Sequence, residues 1–347
     1  MIFFKTFFSR SYRSFQASLR TVSFWPFLVA CSLLLSLGFN LSTVDAAGPF
    51  AGGSGTVADP YQIANCSQFE AINAAEDYLR AAFVLTSDID CASISPFIKI
   101  GTGPNYSTHT HNFFSGRFDG AGHTISNVTE GSSSSEYDGI FAYTFGASIR
   151  NVTLRNVAIT GSTYFAGTLV GFAQGTSLVG ITVSSSSVTV QNSAASVGGV
   201  VGSLQNGYAY AIVATSTTVT FGGSSQNTTT GFGGLIGVMD NSTLDRSYGS
   251  VTVTADTEGV GGLVGFMSRS SITNSYASST VQGYTSVGGI LGEYSFTGNT
   301  PVDDSYIRSS YSAGSTTATA SNGPVGGILG GASGGGFLSD AVVLPAE

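Results

Sequence analysis

The chain contains little charge, and most of what it has is negative. Of its 347 residues 9 % are charged, and 20 acidic residues outnumber 12 basic ones, for a net charge of −8. Average soluble domains carry roughly 25 % charged residues. Four of the basic residues fall within the first twenty positions: Lys5, Arg10, Arg13 and Arg20. The remainder is too acidic to present the basic surface that nucleic acids require, so we expect no nucleic-acid partner.

Cysteine is also scarce, with three residues in the chain. Only Cys66 and Cys91 lie beyond residues 1–47, the predicted signal peptide. Two cysteines in an exported chain allow a single disulfide. Free thiols are the alternative. The C-x₂-C spacing of structural zinc sites is missing. We therefore predict no cofactor and no metal site.

Long apolar runs are rare, and the one at residues 24–39 follows a basic stretch. An A-x-A-like signal, Val44–Ala46, comes next, so residues 1–47 are predicted to be a signal peptide cleaved near Ala46 or Ala47. The protein is then secreted or on the cell surface. A lipoprotein processing box ending at Cys31 is a weaker alternative, since leucines follow that cysteine. An uncleaved membrane anchor stays open as well.

Glycine is abundant, with 47 residues, and much of it recurs in one short phrase around paired aliphatic residues. The seven copies are Asp138–Ala142, Gly167–Gly171, Gly198–Gly202, Gly233–Gly237, Gly261–Gly265, Gly288–Gly292 and Gly326–Gly330. Their last residues are separated by 27 to 38 positions. A recurring period of this size is typical of stacked repeat proteins, in which each unit contacts mainly its neighbours.

Each repeat continues with short alternating segments rich in Val, Thr and Tyr, such as Ser148–Leu154, Ser242–Tyr248 and Ser271–Tyr276. Such segments favour strands. We expect glycines at the corners, where they permit positive φ and close approach of successive coils. Residues 137–347 are therefore predicted to form an all-β, right-handed parallel β-solenoid of about seven irregular coils.

Residues 48–136 have a different pattern and are predicted to form an N-terminal cap with the first strands. A helix is expected to begin at Ser67, because Ser67–Glu70 fits a capping box and apolar residues then recur at helical spacing. Strands are predicted at Tyr61–Ala64 and Ala82–Leu85. A solenoid needs such an atypical terminal unit to cover its first coil.

Several of these phrases together resemble the GLUG-repeat proteins of bacterial surfaces and secretions. The resemblance rests on Gly261–Gly265 followed by Ser271–Tyr276. It rests also on three phrases that precede the repeats, at Gly53–Ile63, Leu85–Asp90 and Phe114–Asn127. It implies a β-solenoid module in an exported or adhesin-like protein. It carries over no catalytic residue.

Candidate catalytic groups are few. His109 and His111 occur near Asp119 and His123, but Phe118–Asn127 belongs to the structural phrase just named. Two further carboxylates, Asp88 and Asp90, could serve glycoside hydrolysis or bind calcium. A turn capped by aspartates is the favoured interpretation. The prediction is a non-catalytic protein, and the alternative is a carbohydrate-active β-helix enzyme, either a polysaccharide lyase or a glycoside hydrolase.

Tyrosines recur in the later repeats, and on a stacked face they could form a ladder for a sugar chain or a protein. The predicted ligand-binding residues are Tyr248, Tyr276, Tyr306 and Tyr311. The alternative is that they merely stack on one another at the coil corners. The expected partner is a host or environmental glycan or protein.

The last glycine phrase is followed only by a glycine run and residues 337–347. An uncapped solenoid end is an open sheet edge. We expect this edge to mediate self-association, or the sequence to be a fragment of a larger protein.

Overall fold

The computed structural model describes residues 48–105, 110–132, 136–161, 163–191, 196–223, 231–295, 305–333, 338–339 and 342–343. The chain divides into two compact units, Met1–Ala46 and Ala47–Glu347. The first unit lies outside the described residues, and so do the predicted signal peptide and Cys31. No helix among the described residues is long and apolar enough to cross a membrane.

The second unit is a parallel β-solenoid with seven coils in its repeat region, which confirms the predicted fold class. Each coil adds one strand to each of two narrow sheets and further strands to one broad sheet. The strands of the first narrow sheet are Tyr137–Asp138, Phe165–Ala166, Ser196–Gly198, Gly231–Gly233, Val260–Gly261, Val287–Gly288 and Val325–Gly326. Those of the second narrow sheet are Phe141–Phe145, Val170–Gln174, Val201–Gln205, Ile236–Asp240, Val264–Ser268, Leu291–Ser295 and Leu329–Ser333.

The broad sheet contains 21 strands in the described part of the chain. Its strands are Tyr61–Ile63, Ala82–Leu85, Ile89–Asp90, Arg117–Asp119, Thr124–Ser126, Thr129–Ser132, Ser148–Arg155, Ala158–Gly161, Ser177–Ser184, Ser187–Val190, Tyr208–Phe221, Thr243–Asp245, Tyr248–Ala255, Ser271–Thr273, Tyr276–Ala277, Thr280–Gly283, Tyr306–Arg308, Tyr311–Ser312, Ser315–Ala318, Leu338–Ser339 and Val342–Val343. A short antiparallel pair, Gly103–Asn105 with Thr110–Asn112, lies outside the three parallel sheets.

An inward-facing column of the broad sheet shows how the coils stack. Its buried members pair residue to residue along parallel strands. They are Phe83, Phe118, Ile149, Leu178, Ala209, Leu244, Ile272 and Ile307. Burying a large aliphatic or aromatic side chain contributes about 1.5–3 kcal/mol. Columns of this kind form the continuous core of the solenoid, so the coils depend on one another for stability.

The glycine phrase is needed for close backbone approach. A Cβ atom at Gly233 would lie 1.9 Å from the carbonyl oxygen of Ile236, and one at Gly234 would lie 2.2 Å from that of Gly262 in the next coil. Neither glycine has a positive φ. The predicted close approach is therefore present in the phrase, whereas its predicted left-handed conformation is absent at these two positions.

Glycine with positive φ occupies the corner before the broad sheet in two coils, as predicted, at Gly146 and Gly175, and asparagine takes this role at other positions. Six asparagines have φ between 47° and 59°: Asn127, Asn151, Asn156, Asn206, Asn241 and Asn274. Asparagine tolerates this left-handed region better than other residues with a side chain. Its amide also bonds between coils, as Asn156 Nδ2 donates to Asn127 Oδ1 at 2.6 Å. A glycine could not form that bond.

The helix is shorter than predicted and begins earlier. It spans Cys66–Glu70, and short 3₁₀ turns follow at Ala71–Ala74 and Tyr78–Arg80. Its N-cap is Asn65, whose side chain accepts the Gln68 N–H at 3.0 Å. The predicted cap at Ser67 is therefore wrong, because Asn65 satisfies the first turn two residues earlier.

The region predicted to be a cap also contributes rungs to the broad sheet. Tyr61–Ile63 pairs with Ala82–Leu85, which pairs in turn with Arg117–Asp119. Arg117–Asp119 then pairs with Ser148–Arg155 of the repeat region. The parallel ladder therefore begins well before the first glycine phrase.

Candidate functional site

The broad sheet brings three of the four predicted binding tyrosines into one outward-facing column. Tyr248 pairs with Tyr276, and Tyr276 pairs with Tyr311, in parallel register. Their ring centroids lie 4.2 Å and 4.9 Å apart, with interplanar angles of 31° and 9°. Tyr276 and Tyr311 are each 37 % exposed. We call these three residues the tyrosine column.

A serine precedes each tyrosine of the column, and the three serines form a ladder of their own. The N–H of Ser247 donates to the Ser275 hydroxyl at 3.0 Å, and the N–H of Ser275 donates to the Ser310 hydroxyl at 3.2 Å. Each hydroxyl also donates to the carbonyl two residues earlier. This serine ladder, Ser247, Ser275 and Ser310, is buried and fixes the backbone from which the rings project.

A left-handed residue explains why the tyrosines lie together although each predicted strand is interrupted before them. Arg246, with φ 49°, directly follows the strand Thr243–Asp245, and Asn274, also with φ 49°, directly follows the strand Ser271–Thr273. Ser309, with φ 50°, has the same position in the next coil. The three coils therefore turn at equivalent positions and keep their tyrosines in register.

The ring stacking limits what a ligand can contact. Tyr276 has Tyr248 on one side and Tyr311 on the other, so its ring edge and hydroxyl remain for a partner. The pKa of Tyr276 is raised by partial desolvation and by the two neighbouring phenols. The hydroxyl is therefore neutral near pH 7 and can both donate and accept a hydrogen bond.

Tyr306, the fourth predicted residue, does not belong to the tyrosine column. It pairs with Ser271 and precedes the corner at Ser309. Its ring lies 4.9 Å from the guanidinium carbon of Arg308, a cation–π contact. The sequence spacing alone could not separate it from Tyr311, because the corner between them is not marked by glycine or proline.

The candidate catalytic carboxylates are occupied by structural contacts. Asp88 accepts the Thr124 N–H at 2.9 Å and contacts His123 Nδ1 at 3.2 Å. These bonds, the backbone one first, hold the pKa of Asp88 below its ordinary value. Asp90 has a lowered pKa as well, chiefly because the Asn127 amide donates to it.

Asp119 is engaged in the same manner. It accepts from Arg150 Nε at 2.9 Å and from the Ala121 N–H at 2.9 Å. His109 lies outside the described residues, as does the side chain of His111. Among the described residues, no three His, Cys, Asp or Glu side chains are grouped so as to hold a metal ion.

Cys66 and Cys91 are joined by a disulfide in the structure, with their Cα atoms 5.2 Å apart. Both residues are buried, one at the start of the helix and the other after the strand Ile89–Asp90. The bond connects the helix to the first rungs of the broad sheet.

Sequence reasoning missed a buried ionic cluster at the start of the repeat region. Lys99 Nζ hydrogen-bonds to Asp138 and lies 3.4 Å from Glu130 Oε1. Burial, and secondarily Asp138, raise the pKa of Glu130 to about 7. Glu130 and Asp138 occupy core columns that continue as Ile159 and Ala166 in the next coil. The cluster could have been predicted from the sequence, because Glu130 and Asp138 are acidic residues at positions where later repeats have apolar ones.

An aromatic cluster on the narrow sheets was also missed. Tyr137 stacks on Phe165 with centroids 5.5 Å apart, and Tyr143 stacks on Phe172 at 4.9 Å. Tyr143 Oη donates to Gln174 Oε1 at 2.7 Å. Phe165 and Phe172 flank the glycine phrase that begins at Gly167, as Tyr137 and Tyr143 flank the phrase that begins at Asp138. This repeated placement of aromatic residues could have indicated the cluster.

No family model matches the chain. Solved structures that resemble its fold include two that carry the name of immunoglobulin A1 protease. One is a putative immunoglobulin A1 protease from Bacteroides ovatus, with a TM-score of 0.55 and 19 % identity, covering 83 % of this chain and 88 % of that one. The other is named IgA1 Protease, with a TM-score of 0.60 and 19 % identity, covering 82 % of this chain and 21 % of that one. At this identity the likeness concerns the fold alone.

One curated protein resembles part of the sequence. Halomucin from Haloquadratum walsbyi is 35 % identical over 130 residues, which is 36 % of this chain and 1 % of Halomucin. The present chain thus corresponds to a very small part of that protein.

Proposed function

We propose that the protein is an exported, non-catalytic β-solenoid module of the GLUG-repeat type that binds a glycan at a cell surface. The tyrosine column carries the proposal: Tyr248, Tyr276 and Tyr311 are held in register on an outward face. Tyrosine combines a large apolar ring with a hydroxyl and is common at binding surfaces. The predicted leader, the disulfide and the local similarity to Halomucin support export.

The column would bind its partner lengthwise. Because the ring faces are stacked on one another, the hydroxyls form a row along the solenoid axis, with a repeat of about 4.8 Å. An extended polysaccharide offers its own row of hydroxyls to such a surface. A protein partner would be the other class of ligand, and the experiment below distinguishes the two.

The test is a binding screen of the protein against neutral and acidic polysaccharides, with titration calorimetry of any that binds. Tyr276→Phe keeps the ring and removes the hydroxyl, and we expect it to weaken binding about 3- to 10-fold, the loss of one hydrogen bond. Tyr306→Ala is the matched control on the same sheet and should bind as the unchanged protein does. Equal binding by Tyr276→Phe, Tyr276→Ala and the unchanged protein would show that the tyrosine column is not the binding site.

The same screen tests the alternative of a carbohydrate-active enzyme. Appearance of shorter products, lost in Asp119→Asn or His123→Ala, would overturn the non-catalytic proposal. The contacts of Asp88, Asp90 and Asp119 with backbone amides and neighbouring side chains support structural roles for these carboxylates. Binding of a surface protein, with no glycan bound, would favour the protein-partner alternative.

A further inference from the structure

A cavity of about 120 Å³ lies on the outward side of the first rungs of the broad sheet, well before the tyrosine column in the sequence. Its apolar wall is formed by Val57 and Pro60, from the loop that precedes the first strand. Arg117, Ser148 and Arg150 face it from the sheet. Val57 is 66 % exposed, so the wall is open to solvent on one side. We call this space the Arg117 cavity.

The cavity contains one more positive charge than negative charge. Arg150 is paired with Asp119, with Nη2 and Oδ2 2.8 Å apart. Asp119 also accepts from Asn151 Nδ2 at 3.2 Å. Arg117, by contrast, makes no ion pair with any acidic side chain in the described part of the chain. Its charge is therefore available to a ligand.

The absence of an acidic partner among the described side chains sets Arg117 apart from the other arginine and lysine residues after residue 47. Each of the seven others interacts with an acidic or aromatic side chain. The pairs are Arg80 with Glu76, Lys99 with Asp138, Arg150 with Asp119, Arg155 with Asp88 and Asp90, Arg246 with Tyr210, Arg269 with Asp240 and Arg308 with Tyr306. In a chain this acidic, an arginine without a carboxylate partner, placed in a cavity, points to an anion from outside.

A hydroxyl lies next to that charge. Ser148 is the register partner of Arg117 on the adjacent strand, and adjacent strands are about 4.8 Å apart. The Ser148 hydroxyl has no hydrogen-bond partner among the described residues. A ligand that carries an anion and a neighbouring polar oxygen can therefore bind Arg117 and Ser148 together.

We propose that the Arg117 cavity binds the carboxylate of a uronic acid unit in an acidic glycan. The guanidinium fork of arginine matches a planar carboxylate with two parallel hydrogen bonds. The Ser148 hydroxyl donates to a ring or hydroxyl oxygen of the same unit. The apolar face of the sugar ring packs against Val57 and Pro60. One unpaired cation balances one carboxylate, which fits a uronic acid better than a polyanionic ligand.

The proposal goes beyond the tyrosine column and does not depend on it. The test is calorimetric titration of the full chain with an oligogalacturonate and with the same oligomer after methyl esterification, which removes the charge and keeps the sugar. We expect the acid to bind and the ester to bind about 10- to 100-fold more weakly, the range expected for a hydrogen bond to a charged group.

Three variants locate the site. Arg117→Gln should lose the preference for the acid, and Arg117→Lys should keep part of it. Val57→Glu places a carboxylate at the exposed wall and should weaken binding even if Arg117→Gln does not fold. Arg80→Gln is the control, since it removes an exposed charge elsewhere. Tyr276→Ala should leave uronate binding unchanged, which separates this proposal from the previous one.

Four outcomes would overturn the proposal. Two concern the ligand: no binding of the oligogalacturonate at millimolar concentration, or equal binding of acid and ester. The others are unchanged binding by both Arg117→Gln and Val57→Glu, and tighter binding of a sulfated glycan than of the uronate. The last result would assign the cavity to sulfate.

Discussion

The backbone N–H of Ser247 donates a hydrogen bond of 3.0 Å to the hydroxyl of Ser275, one coil further along the solenoid. Ser275 is buried, and its hydroxyl donates in turn to the carbonyl of Thr273 at 2.7 Å. One side chain thus satisfies backbone groups of two coils directly beneath the tyrosine column.

Removing this hydroxyl should destabilise the protein. Ser275→Ala leaves the buried Ser247 N–H without its partner, and an unsatisfied buried donor costs about 1–3 kcal/mol. Chemical denaturation measures the loss in the free energy of unfolding. Ser278→Ala is the control, because Ser278 is exposed in the same coil. An equal effect of the two substitutions would contradict the assigned role of the serine ladder.

Replacing a glycine of the repeated phrase should be more damaging. Gly234→Ala places a Cβ 2.2 Å from the Gly262 carbonyl oxygen, so backbone must shift, at a cost of about 3 kcal/mol or more. Gly222→Ala is the matched control, since the added carbon first meets a flexible Gln191 side chain at 3.4 Å. Thermal unfolding followed by circular dichroism compares them. A Gly234→Ala protein as stable as the control would be inconsistent with the close approach.

The stability should fall as the pH rises from about 4.5 to about 7, because of Glu130. Its pKa is raised to about 7 in the folded protein, mainly by burial, against an ordinary value of 4.5. The folded state therefore holds a proton that the unfolded state has released in this interval. Above pH 7 the folded protein bears the cost of a buried charge, up to about 3 kcal/mol.

Urea unfolding at pH 5 and pH 8 measures this dependence. Glu130→Gln has no titrating group at that position and should lose most of it. Asp88 and Asp90, whose pKa values are lowered, act in the opposite direction and only in more acidic solution. The difference between the two proteins therefore isolates Glu130. The same pH dependence in both would contradict the prediction.

Breaking the disulfide should destabilise the N-terminal rungs. Cys66 and Cys91 are 25 residues apart, and closing a loop of that size stabilises a protein by about 3 kcal/mol. The double variant Cys66→Ala with Cys91→Ala should therefore unfold at lower denaturant concentration. The unchanged protein should approach it once a reductant is added. Alkylation of both Cys66 and Cys91 in the unreduced, unfolded protein, located by mass spectrometry, would show that the bond does not form.

Much of the fold follows from the pattern of residues along one coil. The glycine phrase and the alternating segments recur, and each coil repeats the same inward and outward positions, so seven coils of parallel strands could be predicted. The strand Ala82–Leu85 was predicted at its true bounds. The cap of the helix was not, because Asn65 and Ser67 are both good capping residues and only the three-dimensional course of the chain selects between them.

The candidate sites were less accessible to sequence reasoning. The tyrosines were identified by their recurrence, but whether they share a column depends on left-handed residues such as Arg246, Asn274 and Ser309. Arginine gives no turn signal in a sequence. Serine and asparagine are turn residues, but both are frequent throughout these repeats and so do not single out the corner.

The sequence by itself determined the repeated coil, the inward aliphatic columns and the positions that only glycine can occupy, because these depend on local periodicity and on the size of a side chain. The tertiary structure decided which residues of different coils meet. It placed Ser148 beside Arg117 and Tyr276 between two other rings, and it gave Arg150 a carboxylate while leaving Arg117 without one. The physical reason is register: coils of 27 to 38 residues align only when their extra residues lie outside the strands, and no local pattern shows where that happens.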